Sequence, residues 1–414
     1  MKVVKYLILI ILIFTIFTSG SFGIISRYVD NTVIAFKSLY SKVENLVVEE
    51  RQITEILYEE YYETMPQFDA CYNSLNSNQK EIYKRIYAIS QKMPVGFVKL
   101  YNKYDGVNND ITIAYNAFLY DCTEVFWMPY TYILADYSNS DGDFIAVAFS
   151  QNGENRKTDY NVTKEQRDKM QKKFDAEVNR IVSLAKKLKN DFEIEKFFND
   201  YICENTEYVT DGFLVSTAYG ALMEKKAHCE GYSRAFKHLC NKMGIECDLV
   251  CGVSFDEGHM WNVVNIDGAH SYVDVTWNDR YEYPSYQYFN ITASQLEFDH
   301  ELSPLHTEIK AEEISKGSFN FVNHSVTYSG NTYYEKYKST ISLASEKKVA
   351  KAIEKRFNEG EDYIELLFTS KITLSEFQKS NLEYIASIQK HLKNIKIETY
   401  IFERDILTLF FVKK

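Results

Sequence analysis

The spacing of hydrophobic positions changes along the chain and predicts two kinds of element. Spacings of three and four residues, typical of amphipathic helices, occur at 36–57, 78–92, 113–120, 163–188, 194–202, 229–243, 347–357 and 374–392. Apolar runs of strand length occur at 131–136, 144–149, 247–253, 258–266, 271–277, 363–368, 395–402 and 406–412. Helices and strands follow one another in mixed order, which predicts an α+β fold.

Polar stretches and the order of the elements predict five segments. A polar stretch at 152–160, followed by a capping box of Thr163 and Gln166, marks the start of a new domain. We therefore expect a targeting segment at 1–26, an amphipathic helical segment at 27–64, an α+β domain at 65–158, a central domain at 159–305 and a smaller α+β domain at 306–414.

The first residues have the pattern of a targeting segment. Lys2 and Lys5 are followed by a nearly uninterrupted apolar run from Leu7 to Phe17. This pattern predicts export from the cytoplasm. A cleaved signal peptide and an uncleaved membrane anchor both fit, because apolar residues recur shortly after the run. We expect an extracytoplasmic protein that is either secreted or anchored in the membrane at the cell surface.

Composition and charge narrow the class of protein. The 414 residues are 45% hydrophobic and 25% charged with only 5 Pro and 16 Gly, which excludes disordered and collagen-like chains. There are 47 basic and 58 acidic residues, and the net charge of −11 lacks the basic field that phosphate binding needs. Nucleic acid is therefore not an expected partner. The 7 cysteines are an odd number, so an exported chain would have at least one thiol left over from internal disulfides.

One cysteine lies at the predicted start of a helix. Cys229, Tyr232, Phe236 and Met243 recur at helical spacing, and Gly244 follows where a C-cap is expected. A thiol at a helix N-terminus feels the positive end of the helix dipole, which favours the reactive thiolate. The N–H groups of the same turn could also receive an oxyanion. Cys229 is therefore a candidate nucleophile.

Two further candidates lie on predicted neighbouring strands. The turn signal Asp267-Gly268 joins the strand that carries His259 to the strand that carries Asp274. With a two-residue loop, Asp274 falls opposite Trp261, one diagonal step from His259 on the same face. That spacing lets a carboxylate reach an imidazole N–H. A thiol, an imidazole and a carboxylate can thus converge, as nucleophilic acyl transfer requires.

These residues lie in motifs that resemble the transglutaminase-like superfamily, specifically its bacterial exported branch. The motifs are Tyr219-Gly220-Ala221-Leu222, Cys229-Glu230-Gly231-Tyr232, Gly258-His259-Met260-Trp261-Asn262, Val273-Asp274-Val275-Thr276-Trp277, and Tyr288-Phe289-Asn290 with His300. The resemblance covers about 194–300. It implies a papain-like core, in which a helix carrying the nucleophile packs on an antiparallel sheet.

The resemblance also implies a role for each residue. Cys229 would be the nucleophile, His259 the base and then the acid, and Asp274 the residue that orients His259. Tyr219 is a candidate for the oxyanion site, and Trp261 for the wall of the cleft or the core. We expect no cofactor and no metal. The expected substrate is a protein or peptide, with cell-wall-associated proteins as one option.

The outcome of the reaction stays open at this point. An acyl-enzyme thioester resolved by an amine gives cross-linking, whereas one resolved by water gives deamidation or proteolysis. A second hypothesis is a non-enzymatic surface protein that uses the same core for binding or as a scaffold. The presence of all three candidate residues favours the enzyme.

The remaining cysteines allow two other interpretations. A zinc site would use His228, Cys229, Cys240, Cys247 and Cys251, but two of these ligands lie four residues apart on a predicted strand, about 13 Å. A disulfide between Cys240 and Cys247 fits better, because these residues flank a short connection. For His228 we expect a place lining the site.

Overall fold

The computed structural model describes residues 53–58, 70–149, 160–280, 283–315, 317–326, 332–337, 340–341, 346–369, 371–403 and 405–414. The predicted targeting segment at 1–26 lies outside the described residues. Of the predicted helical segment at 27–64, only 53–58 is described, and there Thr54 forms a parallel bridge with Val98. The predicted helix therefore does not extend through these residues. Among the described helices, none combines the length and apolar character needed to cross a membrane.

The N-terminal part packs helices against a three-stranded sheet. Its elements are α1 (Ala70–Ser74), α2 (Ser77–Lys92), β1 (Val98–Asn102), α3 (Val107–Asp121), β2 (Tyr132–Asn139) and β3 (Gly142–Phe149). The strand order is β1-β3-β2, with antiparallel pairing. The two predicted strands are present, and they extend toward each other until the connection is Ser140-Asp141. Strand β1 was not predicted from the sequence.

In the central part, a layer of helices packs against a second sheet. Its elements are α4 (Lys164–Ala185), α5 (Asp191–Asn205), β4 (Glu207–Tyr208), a π-helical turn (Gly220–Glu224), β5 (Lys226–Ala227), α6 (Cys229–Lys242), β6 (Cys247–Ser254), β7 (Glu257–Ile266), β8 (Ala269–Val273), α7 (Val275–Asn278), α8 (Ala293–Leu296) and β9 (His300–Leu302). The main sheet has the order β8-β7-β6-β9 and is antiparallel. Helix α6 contacts β6 and β7. This is the predicted arrangement of a helix on an antiparallel sheet, and it confirms the α+β class.

Local signals explain where the central elements begin and end. Thr163 and Gln166 form the predicted capping box at the start of α4. Helix α6 begins at Cys229, as predicted, and Gly244 has the left-handed φ of +82° that suits a residue just past a helix end. The predicted strand 271–277 is too long, because it ends at Val273. Asp274 leaves the sheet and caps α7 through its carboxylate.

The C-terminal part has its own sheet and hydrophobic core. Its elements are α9 (Tyr333–Lys336), β10 (Thr340–Ile341), α10 (Glu346–Asn358), β11 (Tyr363–Phe368), α11 (Lys371–Lys379), α12 (Asn381–His391), β12 (Ile395–Glu403) and β13 (Ile406–Lys413), with the strand order β10-β11-β13-β12. The single helix predicted at 374–392 is two helices, because Ser380 leaves the helical region. Its neighbour Asn381 bonds the next backbone N–H through its side chain, a local competitor of helical hydrogen bonding.

Two main hydrophobic clusters and a smaller third one in the central sheet organise these parts. One cluster runs through the N-terminal and central parts and includes Phe319 and Phe321 from the segment that follows β9, together with Tyr333 of α9. Another contains residues from Val349 to Phe411. The core of the 65–158 segment is thus continuous with that of the central part, and the separate C-terminal core begins later than position 306. The predicted domain limits themselves remain predictions.

Candidate active site

Cys229 differs from the other cysteines in its exposure. All seven cysteines are described, and all seven are free; six are buried, and Cys229 alone is partly exposed. The disulfide that Cys240 and Cys247 allowed as an alternative is therefore not present. The two thiols are hydrogen-bonding neighbours between the last turn of α6 and the start of β6, and both are buried. Exposure, rather than an odd cysteine count, distinguishes Cys229.

Two imidazoles contact the Cys229 thiol. Burial alone would raise its pKa, but hydrogen bonds with His228 and His259 outweigh burial and lower the pKa to about 7. His228 is the N-cap residue of α6, and its Nδ1 accepts the backbone N–H of Glu230 at 3.3 Å. His228 therefore lies beside the thiol, as expected, and contributes directly to its acidity.

His259 is held by the carboxylate of Asp274. The loop after β7 has two residues and Ile266 pairs with Ala269, so the predicted register is confirmed. Nε2 of His259 lies 2.7 Å from Oδ2 of Asp274. Burial disfavours the imidazolium, but the charge and hydrogen bond of Asp274 raise the pKa of His259 to about 10. Burial would raise the pKa of Asp274, but the charges and hydrogen bonds of His259 and His300 outweigh it and lower this pKa to about 2.

Asp274 is fixed by contacts to both of its oxygens. Oδ1 accepts the backbone N–H of Trp277 at 3.1 Å, and Oδ2 lies 3.1 Å from Nε2 of His300. The carboxylate is completely buried, so each of these contacts is made out of water. Because the side chain cannot rotate without losing several hydrogen bonds, it presents one fixed oxygen to His259.

His300 and Asp299 are site residues that sequence reasoning did not assign. Nδ1 of His300 lies 2.7 Å from Oδ1 of Asp299, and the Tyr288 hydroxyl donates to Oδ2 of Asp299 at 2.7 Å. A buried polar chain thus runs from Tyr288 through Asp299, His300 and Asp274 to His259. The only sequence signal for it was the presence of Tyr288 and His300 in the motifs of the resemblance.

The other two candidates have packing roles in the structure. The ring of Tyr219 lies 4.5 Å from that of Phe126 and 5.8 Å from that of Phe174, within the large core. These contacts show that the ring packs in the core, and the oxyanion role of its hydroxyl remains a prediction. Trp261 is completely buried, with its ring 5.8 Å from that of His259 and 5.0 Å from that of His300. Trp261 therefore packs as a buried side chain against the two imidazoles of the site.

The residues of the site also include metal-ligand types. Among the described residues, one atom each of His259, Asp274 and His300 lie within 4.8 Å of one another. This set differs from the zinc interpretation, which used cysteines of α6 and β6. The carboxylate oxygen lies at hydrogen-bonding distance from both imidazoles. His259, Asp274 and His300 therefore form a hydrogen-bonded group.

The helix, sheet and hydrogen-bonded chain together define a class of fold and site. A thiol at the start of a helix contacts an imidazole from an adjacent sheet, and a buried carboxylate orients that imidazole. Residues 180–290 match the family described as the Transglutaminase-like superfamily. This part of the chain is a transglutaminase-like core.

Several solved structures are similar to the chain. One is described as a TGase, with 16% identity, a TM-score of 0.25, and coverage of 44% of this chain and 50% of that one. A proposed cysteine protease from Cytophaga hutchinsonii has 15% identity, a TM-score of 0.21, and coverage of 35% and 64%. A proposed protease from Parabacteroides distasonis has 13% identity, a TM-score of 0.19, and coverage of 34% and 35%. The chain spans about half the length of the TGase and less than two thirds of the other two. No curated protein matches the chain.

Proposed function

We propose that this protein is a thiol enzyme that transfers or hydrolyses the acyl group of protein or peptide amides. One observation carries the proposal: the partly exposed thiol of Cys229 bonds an imidazole, His259, that lies 2.7 Å from the buried carboxylate of Asp274. These positions support the roles of nucleophile, base and orienting carboxylate in acyl transfer. The match of residues 180–290 to the Transglutaminase-like superfamily supports the same chemistry.

The mechanism follows from these positions. The Cys229 thiolate attacks the amide carbonyl and forms a carbon–sulfur bond, while a backbone N–H at the start of α6 donates to the oxyanion. His259, protonated in the ion pair, gives its proton to the departing ammonia or amine, and a thioester remains. An amine or a water then attacks the thioester and loses a proton to neutral His259. The departing sulfur restores the thiolate.

The proposed substrate is a protein or peptide outside the cytoplasm. A glutamine side chain or a peptide bond supplies the acyl group, and a primary amine or water accepts it. The apolar run that begins at Leu7 favours action outside the cytoplasm, on cell-surface proteins.

Thiol reactivity is the first test of this proposal. The purified full-length chain is treated with iodoacetamide at pH 7, and the modified peptides are identified by mass spectrometry. We expect rapid modification of the peptide that contains Cys229, no such fast phase in Cys229→Ala, and a slower rate in His259→Ala. The buried Cys203→Ala serves as the matched control and should behave as wild type. Equal, slow labelling of wild type and Cys229→Ala would leave a non-catalytic binding module as the better description.

A second experiment identifies the acceptor. A glutamine-containing protein is incubated with the enzyme and a labelled primary amine. Incorporation of the label indicates transfer, whereas release of ammonia or new N-termini without label indicates hydrolysis. Neither product, with wild-type Cys229 intact and reactive, would contradict an amide substrate.

A further inference from the structure

The hairpin between β6 and β7 has an unusual turn. Ser254 pairs with Glu257, so the turn consists of Phe255 and Asp256, and both have left-handed φ values, +48° and +65°. Two-residue hairpin turns of this kind favour Asn, Asp and Gly, because a side chain such as phenylalanine is strained there. The next hairpin of the same sheet uses Asp267-Gly268 at the equivalent positions. Phenylalanine is thus an unfavourable residue for the left-handed backbone conformation at position 255.

Burial does not compensate for this strain. The side chain of Phe255 is 72% exposed. An exposed aromatic ring in a strained backbone conformation violates two local preferences at once, and such sites in natural proteins are often functional. The position of the ring in relation to the active site is therefore informative.

Phe255 extends an aromatic surface that starts at the active site. Its ring stacks on that of Trp277 at 5.2 Å and 18°, and Trp277 lies 6.2 Å from the His259 ring. Trp277 belongs to α7, the helix capped by Asp274, so its position is tied to that of the carboxylate. The Arg280 guanidinium also lies 5.0 Å from the Trp277 ring centre and bonds Glu403 at 3.1 Å. Trp277 is therefore held in place, and Phe255 adds an exposed apolar surface beside it.

We infer that Phe255 and Trp277 form a specificity subsite that binds an apolar or aromatic side chain of the peptide substrate, next to the amide that reacts. This inference rests on the proposed function and names its substrate class. A side chain one or two residues from the reacting amide can reach Trp277, because that ring is a direct neighbour of His259. The exposed carboxylates of Asp256 and Glu257 flank Phe255 and disfavour an acidic residue at this position of the substrate.

The test uses two glutamine peptides that differ only in a Phe or an Ala beside the glutamine. The readout is the ratio of their kcat/KM values on the full-length chain, which does not depend on the fraction of active protein. We expect wild type to prefer the Phe peptide about tenfold. Phe255→Gly should reduce the ratio to near one, Phe255→Tyr should retain it, and the distant exposed Leu382→Ala should leave it unchanged. The Tm of Phe255→Gly should not fall, since glycine suits the left-handed turn.

Two results would overturn the subsite. One is an unchanged ratio in Phe255→Gly. The other is a wild type that does not prefer the Phe peptide. Binding of both peptides to Cys229→Ala, followed by Trp fluorescence, separates this inference from the proposed function. Tighter binding of the Phe peptide without turnover by wild type would support the subsite and contradict the enzyme.

Discussion

Nε2 of His300 lies 3.1 Å from Oδ2 of Asp274, the same oxygen that lies 2.7 Å from His259. His300 is on β9, which pairs with β6 at the edge of the sheet, whereas Asp274 follows β8 at the opposite edge. Both side chains are completely buried, and the His300 ring lies 5.1 Å from that of Trp277 and 5.5 Å from that of Tyr288. His300 therefore positions the carboxylate that orients the proposed base.

Replacing His300 should impair turnover more than substrate binding. His300→Ala removes one of the donors to Asp274 and leaves its partner Asp299 without an imidazole, so we expect kcat to fall by about 10- to 100-fold, equivalent to ~1.4–2.7 kcal/mol. KM should change little. His300→Gln retains an amide donor and should recover part of kcat. The measurement is steady-state kinetics normalised by titration of reactive Cys229, and a loss confined to KM would contradict the positioning role.

The thiol should titrate near neutral pH because of two imidazoles. The pKa of Cys229 is lowered to about 7 and that of His259 is raised to about 10, so the thiolate–imidazolium pair predominates between these values. The rate of alkylation should rise with pH around 7. The proposed kcat/KM should rise around pH 7 and decline around pH 10, as His259 loses its proton.

A variant of His228 measures how much this histidine lowers the pKa of Cys229. His228→Asn keeps an N-cap acceptor for the Glu230 N–H but removes the imidazole that bonds the thiol. The midpoint of the alkylation profile should shift to higher pH. His270→Asn, a partly exposed histidine of β8, is the matched control and should leave the midpoint unchanged. If both variants titrate as wild type does, His228 does not contribute to the acidity of Cys229.

The sequence predicted those parts of the site that depend on local signals. Gly244 and the helical spacing defined α6, so the start at Cys229 was correct. The Asp267-Gly268 turn set the register that brings Asp274 near His259. The strand prediction failed from Asp274 onward, because its carboxylate caps α7 instead of continuing the pairing. A period-two pattern does not show that a side chain will bond the backbone three residues later.

The parts that were missed depend on long-range packing. Strand β9 has only three residues, and nothing local indicates that it pairs with β6 and carries His300 to Asp274. The sequence left a Cys240–Cys247 disulfide open for a related reason: closeness along the chain does not determine whether two buried thiols are oxidised, and here both are free. Hydrophobic periodicity likewise identified the buried faces of the N-terminal helices without indicating that they share the core of the central part.

A methyl group at Gly252 should damage both the sheet and the site. Gly252 on β6 pairs with His259 on one side and with Leu302 on the other. A Cβ there would lie 2.0 Å from the backbone oxygen of Glu301 and 2.5 Å from the Trp261 ring. Gly252→Ala must therefore displace β9, which carries His300. We expect a loss of ~1–3 kcal/mol in unfolding free energy and slower alkylation of Cys229.

Gly258 provides the matched control for this substitution. It lies on the neighbouring strand β7, and a Cβ there would meet no atom within 4 Å. Gly258→Ala should therefore change stability and alkylation rate little. Urea unfolding and iodoacetamide kinetics measure both effects, and equal behaviour of the two alanine variants would contradict the close approach of β9 to β6.

The buried carboxyl of Glu195 should make stability depend on pH. Glu195 on α5 is completely buried, and its Oε2 accepts a hydrogen bond from the Asn290 side chain at 2.8 Å. Burial raises its pKa from 4.5 to about 8. Since the folded-state pKa lies above the unfolded one, the stabilisation is complete below pH about 4.5 and is lost as the pH rises to about 8.

Glu195→Gln keeps the hydrogen-bond acceptor and removes the ionisation. Its Tm relative to wild type should increase between pH 5 and pH 8 by an amount equivalent to ~1–3 kcal/mol, whereas the exposed Glu224→Gln should show no such trend. A constant difference between wild type and Glu195→Gln over this range would mean that the folded protein keeps Glu195 ionised.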